Sequence, residues 1–180
     1  MKAPIEVREV NIPEGVKIEV NDGKIIVEGA KGKLERILHH PKVEIKKEGN
    51  KIVIKAEMPK RNEKALVGTF AGHIKNMIKG VSKGFTYKMK IVYSHFPIKA
   101  SVKKNEFIIE NFLGEKSPRK AKLFGNVKVS IKGSDVIIEG INREEVGQTA
   151  ANIERATRVR NKDVRVFQDG VYIVDKDKGA

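Results

Sequence analysis

Short runs of alternating apolar and polar residues recur along the chain, and most of them are separated by turn-forming pairs. The run at 16–29 is the clearest, because Asp22 and Gly23 stand between two such stretches. An Asp-Gly pair between alternating segments is a strong signal for a two-residue hairpin turn. Side chains alternate between the two faces of a strand, so Ile18 and Val20 fall on the same side as the apolar residues of the returning strand. The pattern predicts an antiparallel hairpin with one buried and one hydrated face.

Two longer segments change from a period of two to the helical period. The first is predicted to be a helix from about Glu63 to Lys79, with Gly80 as its C-terminal stop. The second begins near Asn142, a good N-cap residue, and Glu145 stands where a capping box needs it. The apolar stripes predicted to cover the sheets are Leu66, Phe70, Ile74, Met77 and Ile78 in the first helix, and Val146, Ala150 and Ile153 in the second.

The order of strands and helix occurs twice. Three pairs of segments match and keep their order along the chain: 16–29 with 98–111, 43–56 with 127–140, and 66–75 with 145–154. A repeated unit of about 80 residues indicates duplication. The predicted fold is therefore α+β, with two tandem duplicated domains, each a small, mostly antiparallel sheet with one helix packed on one face.

A further run of strand formers, at 85–93, is predicted to link the two units, and Pro97 follows it. Proline cannot donate a ladder hydrogen bond, so it marks a break in strand structure. We place an N-terminal unit with this linking strand at 1–93 and a C-terminal unit at 94–180.

The stretch "RVFQDGVYIV" at 165–174 predicts another hairpin, turning at its Asp-Gly pair. In that register Arg165, Phe167 and Tyr172 share one face of the ribbon. The opposite, apolar face would join the core and consists of Val164, Val166 and Ile173. An arginine beside two aromatic rings suits contact with RNA, although a cross-strand aromatic pair that packs on a neighbouring loop explains the rings equally well.

Charge points to an anionic partner. The net charge is +14, and residues 64–105 carry nine lysines and no acidic residue. A block of one sign favours nucleic acid first and an anionic membrane surface second, while lysines that serve only solubility are the alternative. Cysteine is absent, which excludes disulfides and is typical of a cytosolic protein. No apolar run approaches the ~18 residues of a membrane helix.

The sequence offers no chemistry of catalysis. The four histidines have no partners at metal-ligand spacing apart from the adjacent pair His39 and His40, whose side chains diverge. No nucleophile elbow, phosphate-binding glycine loop or paired-carboxylate signature occurs. We therefore expect no enzyme activity, no catalytic residues, no metal site, no cofactor and no small-molecule substrate.

Two short stretches concentrate cations and are the candidate RNA contacts. The segment 115–122 is a basic loop with one acid, and 155–165 holds five cations in eleven residues. Arginine forks match phosphate oxygens and also stack on bases. With the two aromatic rings of the predicted hairpin, the candidate RNA-binding residues are Lys116, Arg119, Lys120, Lys122, Arg155, Arg158, Arg160, Lys162, Arg165, Phe167 and Tyr172.

The C-terminal stretch "GQTAANIERATRVRNKDVRVFQDGVYIV" at 147–174 resembles the signature of the large-subunit ribosomal protein six family, in its archaeal and eukaryotic branch. The segments "IPEGVKIEV" at 12–20 and "GTFAGHIKNMIKGVSKGFTYKMKIVYSHFPI" at 68–98 are similar too. The resemblance covers nearly the whole chain.

The resemblance implies a structural component of the large subunit, in a cytoplasmic ribosome, with neighbouring ribosomal proteins as further partners and no membrane. It also implies binding of large-subunit rRNA, chiefly through the C-terminal unit, near the stem of the sarcin–ricin loop and the translation-factor site. The family's contacts would fall on the 155–165 and 115–122 segments. A free-standing RNA- or DNA-binding module and a protein-interaction scaffold remain alternatives.

Overall fold

The computed structural model describes residues 5–176, and the chain divides between Gly84 and Phe85 into two compact units. Each unit is built from antiparallel strands and one α-helix, and the second unit also has a short 3-10 helix at Phe112–Gly114. The predicted tandem, duplicated α+β fold is confirmed. Each unit contains two small sheets rather than the single sheet that the sequence led us to expect.

The first unit has six strands followed by its helix. Its elements are β1 (Ile5–Asn11), β2 (Lys17–Asn21), β3 (Lys24–Gly29), β4 (Gly32–Ile37), β5 (Glu44–Glu48), β6 (Lys51–Glu57) and α1 (Arg61–Ser82). The strands form two sheets with the orders β1-β6-β5 and β2-β3-β4. The hairpin of β2 and β3 turns at Asp22 and Gly23, whose φ angles of 43° and 81° are those a two-residue hairpin turn requires.

The second unit repeats this order and adds one strand after its helix. Its elements are β7 (Phe85–Val92), β8 (Lys99–Lys103), β9 (Glu106–Glu110), β10 (Arg119–Lys122), β11 (Lys128–Lys132), β12 (Asp135–Gly140), α2 (Arg143–Ala156) and β13 (Gly170–Lys176). Its sheets have the orders β11-β12-β7-β13 and β10-β9-β8.

The strand at 85–92 belongs to the second unit, not to the first as its position in the sequence suggested. β7 lies in the interior of the second unit's larger sheet, between β12 and β13. It repeats β1, because each of the two pairs with the sixth strand of its own unit. The division of the chain therefore falls at Gly84 and not at residue 93.

Each unit has its own apolar core between sheet and helix. In the first, Val67 and Ile74 of α1 are fully buried against Ile25, Ile52 and Ile54. In the second, the three residues of the predicted stripe of α2 have 0% exposure and pack against the strands. α1 runs beyond Gly80 to Ser82, and Gly84, with φ +78°, donates its N–H to the Lys79 carbonyl as the chain leaves the helix.

The predicted hairpin at 165–174 is wrong. Only its second half is a strand, and that strand, β13, pairs with β7. The first half is a turn in which the Asp163 carbonyl accepts hydrogen bonds from the N–H groups of Val166 (3.1 Å) and Phe167 (2.9 Å). Those bonds curl the backbone, so it cannot offer a ladder to β13. Val164 and Val166 consequently lie outside the core, with 63% and 69% of their surface exposed.

Candidate nucleic-acid interface

The candidate interface centres on a loop that carries exposed cations from the end of α2 to the start of β13. We call residues 157–169 the cationic loop. Arg158, Arg160, Lys162 and Arg165 all lie on it and all are exposed. Their spacing distributes four positive charges over a single irregular segment, which suits a run of phosphates rather than one anion.

Buried side chains fix both ends of the cationic loop. At its start, the Thr157 hydroxyl oxygen accepts the N–H of Val171 at 3.0 Å, although the two residues are 14 positions apart. At its end, one carboxylate oxygen of Asp169 accepts the hydroxyl of Ser94 at 3.2 Å. Thr157 and Asp169 are only 3% and 2% exposed. Both ends of the loop are thus anchored to the rest of the unit by hydrogen bonds of buried side chains.

The middle of the loop is folded on itself as well. The Asp163 side chain accepts the N–H of Arg165 at 2.9 Å, and the Lys162 ammonium lies 4.8 Å from the centre of the Phe167 ring. That distance allows a cation–π contact. The cations are therefore displayed on a shaped backbone, which lowers the entropy that binding has to remove.

The two aromatic residues do not form the predicted pair. Phe167 lies half-buried beneath Lys162 in the turn. Tyr172 lies on β13 opposite Lys90 and donates its hydroxyl to the Gln168 carbonyl at 3.0 Å. Each ring thus has a local contact within the chain, and the arrangement differs from the cross-strand pair expected from the sequence.

The two basic stretches predicted from the sequence are neighbours in the fold. The Asn152 side chain on α2 donates to the Lys122 carbonyl on β10 at 3.0 Å. The two stretches also line an open depression of about 400 Å³. Its lining is Arg119, Lys120, Arg155, Ala156 and Arg160. Four of these five residues are cationic, so the depression is a suitable seat for phosphate oxygens.

The remaining predicted cations differ in how far they are engaged within the chain. Lys116 and Lys122 are exposed, and Lys120 is exposed with its ammonium 3.3 Å from the Glu106 carboxylate. Arg119 is only 23% exposed, and its guanidinium contacts Glu115, two backbone carbonyls and an aromatic ring. The hydrogen bond from Arg119 holds the pKa of the Glu115 carboxyl below its ordinary value.

Sequence reasoning missed Ser94, Thr157, Asp163 and Asp169, whose hydrogen bonds hold the cationic loop, and Glu115, which binds Arg119. One signal was available, since Glu115 and Arg119 are four residues apart and opposite in charge. Ser94, Thr157 and Asp169 contact groups at least 14 residues away in sequence, so no local pattern marks them. Asp163 acts locally, on the N–H of Arg165 two residues later.

Within residues 5–176, no cluster of three or more histidine, aspartate or glutamate side chains has an arrangement that could hold a metal ion. None of the helices in that range is long and apolar enough to cross a membrane.

Comparison with known proteins gives consistent matches over both units. The sequence profile of the family described as Ribosomal protein L6 matches twice, at residues 12–84 and 96–170. The protein named "Large ribosomal subunit protein uL6" from Staphylothermus marinus is 54% identical over 179 residues, covering 97% of each chain. Proteins of the same name from Methanococcus vannielii and Aeropyrum pernix are each 52% identical, covering 93% and 95% of this chain and 92% and 94% of their own.

The two profile matches correspond closely to the two units of the fold, and the similarity to these archaeal relatives extends over nearly their whole length. The chain belongs to the ribosomal protein L6 family.

Proposed function

We propose that this chain is a structural component of the large ribosomal subunit and binds large-subunit rRNA through the cationic loop and the basic depression beside it. The observation that carries the proposal is the set of four exposed cations on a loop whose two ends and middle are fixed by hydrogen bonds. The names of its relatives place those proteins in the large subunit.

The proposed contacts divide by chemistry. Arg158, Arg160, Lys162 and Arg165 bind phosphates from the loop, while Arg155 and Lys120 bind them across the depression. Lys122 on β10 and Lys116 in the segment before that strand extend the same surface. The exposed part of Tyr172 and the half-buried Phe167 offer ring edges to riboses or bases at its margin.

Recognition at this site is mainly of backbone and shape. The major groove of duplex RNA is too deep and narrow for side chains to read, so proteins contact its phosphates and 2′-hydroxyls. A fixed loop of cations discriminates by the positions of phosphates rather than by base edges. We propose that the target lies near the stem of the sarcin–ricin loop, close to the translation-factor site. Further partners would be neighbouring ribosomal proteins, in a cytoplasmic ribosome. The resemblance described above supports these assignments.

Binding to the rRNA should depend steeply on salt. If about five cations displace counterions, the slope of log K against log[salt] will lie between about −3 and −5, at roughly 0.7 to 0.9 per phosphate contact. Filter binding to an rRNA fragment that spans the sarcin–ricin stem, over a series of KCl concentrations, measures this slope. A slope near zero would favour a protein-interaction scaffold, and equal affinity for a generic RNA duplex would favour a free-standing RNA-binding module.

Replacing Arg158, Arg160 and Arg165 together by Gln should weaken binding to the rRNA fragment by several kcal/mol. Each charge-assisted contact contributes about 1.5–3 kcal/mol, although the contributions are not additive. The fold should be retained, because the three side chains are exposed. Affinity by filter binding and thermal melting of the same variant test both expectations.

The matched control replaces three exposed lysines of the same unit, Lys99, Lys128 and Lys132, by Gln. They lie on β8 and β11, the strands farthest from β10 and β13 in the order of their sheets. Both triples remove the same formal charge, so the comparison separates position from the bulk field. Equal losses in the two triples would mean that only overall charge matters and would refute the cationic loop as the binding site.

A further inference from the structure

Arg119 makes more contacts within the chain than any other residue of the predicted RNA-binding set. Its Nε donates to Glu115 at 2.8 Å, and one terminal nitrogen donates to the other oxygen of the same carboxylate at 2.5 Å. The second terminal nitrogen donates to the carbonyls of Ala156 and Arg158, both at 3.0 Å. A guanidinium has five N–H donors, so four of them are directed at groups of the protein.

The guanidinium is also covered on one face. Its central carbon lies 4.2 Å from the centre of the Phe112 ring, which is itself buried. Stacking on an aromatic face and a two-pronged carboxylate bond are the two interactions for which arginine, and not lysine, is shaped. The arrangement leaves little of Arg119 for an incoming phosphate.

The two carbonyls that Arg119 binds lie where the chain leaves α2 and enters the cationic loop. Ala156 is the last residue of α2, and Arg158 is the second residue of the loop. Carbonyls at a helix C-terminus lack partners within the helix and need donors from elsewhere. Arg119 therefore binds one carbonyl on each side of Thr157, at the point where the chain leaves α2.

Glu115 places a negative charge on a surface that is proposed to bind phosphate. It is the single acid in the 115–122 stretch, and an unshielded carboxylate there would repel phosphate. Its bond to Arg119 makes it part of the support for the loop instead. A supporting role of this kind would require neither Glu115 nor Arg119 to contact RNA.

We propose that Arg119, held by Glu115, is a positioning residue that sets the course of the cationic loop and does not itself contact phosphate. The inference rests on the proposed function, because it assigns a role within the same rRNA site. Under this proposal Arg119 is removed from the set of RNA contacts and supports the cationic loop, whose own cations contact the RNA.

The decisive variant is Glu115→Gln, because positioning and direct contact predict opposite signs. If Arg119 positions the loop, loss of the carboxylate loosens the support, and affinity for the rRNA fragment falls about 3- to 10-fold although the protein becomes more positive. If Arg119 contacts phosphate, the same change removes a competing acid and affinity rises. The matched control is Glu106→Gln, which removes an equal charge beside Lys120 on the neighbouring strand and should leave affinity unchanged or slightly higher.

Variants of Arg119 itself provide a second measurement. Arg119→Lys keeps the charge but loses the fork, so positioning predicts that it weakens binding as much as Arg119→Gln does. Both should leave the slope of log K against log[salt] unchanged, whereas loss of a phosphate contact reduces the magnitude of the slope by roughly 0.7 to 0.9. Wild-type affinity in Arg119→Lys, or a reduced slope in Arg119→Gln, would overturn the inference.

Hydrogen exchange of the free protein tests the support without RNA. Arg119→Gln should speed exchange of the N–H groups of Arg158 and Val171, whereas Lys120→Gln should not. Unchanged exchange in Arg119→Gln refutes the positioning role. A wild-type protein without selective rRNA binding refutes the proposed function instead, so the two failures are distinguishable.

Discussion

Gly170, the first residue of β13, shows how one missing side chain shapes the margin of the cationic loop. A Cβ at this position would lie 2.9 Å from ring carbon Cζ of Tyr172 and 3.0 Å from its hydroxyl oxygen. The ring occupies that space because the hydroxyl donates to Gln168, four residues earlier. Gly170 therefore permits the bond that draws the end of the loop toward β13.

Gly170→Ala should destabilise the protein by about 0.5–1.5 kcal/mol, since the methyl group displaces the exposed Tyr172 ring and breaks the bond from its hydroxyl to Gln168. Chemical denaturation of the variant measures the loss. In a Tyr172→Ala background the ring is gone, and the same Gly170→Ala change should then cost close to nothing. An equal cost in both backgrounds would show that the glycine is needed for a reason other than the tyrosine ring.

Among the elements, the start of α1 depends on one carboxylate with two partners. The Glu63 side chain accepts the N–H of Lys60 at 2.6 Å and pairs with the Lys42 ammonium at 3.0 Å. The backbone hydrogen bond, followed by the bond from Lys42, lowers the pKa of Glu63. The helix terminus thus joins the turn before β5 to α1 through an ionised group.

The lowered pKa of Glu63 makes the stability of the first unit decrease at low pH. Because the folded pKa lies below the ordinary value of 4.5, the stabilisation is fully present above pH 4.5 and is lost as the pH falls through the folded pKa. Glu63→Gln should therefore be less stable than the wild type at pH 7, and the difference should shrink below pH 4.5. Thermal melts of both proteins across this range test the claim, with the exposed residue Glu48 changed to Gln as control. A difference that stays constant with pH would contradict it.

On the scale of the whole molecule, the division of the chain changes how its charge is understood. The acid-free block at 64–105 spans the division, and four of its nine lysines fall before residue 85. Counted by unit, residues 1–84 and 85–180 each carry a net charge of +7. Net charge therefore does not distinguish the second unit as the RNA-binding one. The proposed site rests on how the exposed cations of that unit are arranged.

Separate expression of the units tests both the division and the site. Fragments 1–84 and 85–180 should each melt cooperatively, because each encloses its own core. Fragment 85–180 should bind the rRNA fragment with most of the affinity of the full chain. A fragment 94–180 should fail to fold, since it lacks β7, the strand between β12 and β13. Cooperative melting of 94–180 would place the boundary where the sequence pattern suggested.

Local features of this chain were predictable from the sequence because their causes are local. The Asp22-Gly23 hairpin and the Asn142 cap follow from the conformational preferences of a few adjacent residues, and the structure confirms both. The duplication was equally visible, since both copies keep their apolar spacing and hence their strands and helix. The sequence also determined the family and the candidate cations.

Tertiary structure alone decided which strand pairs with β13 and how far Arg119 is engaged within the chain. β13 could have paired with 165–168, but the Asp163 turn removed that partner and β7 offered an open edge some 80 residues away. Arginine is a residue type that commonly binds RNA, and the sequence therefore made Arg119 a candidate contact. In the structure, its guanidinium is hydrogen-bonded to the carbonyls at the end of α2. In both cases the partner that is used is distant in sequence, and only the packed fold brings it within hydrogen-bonding distance.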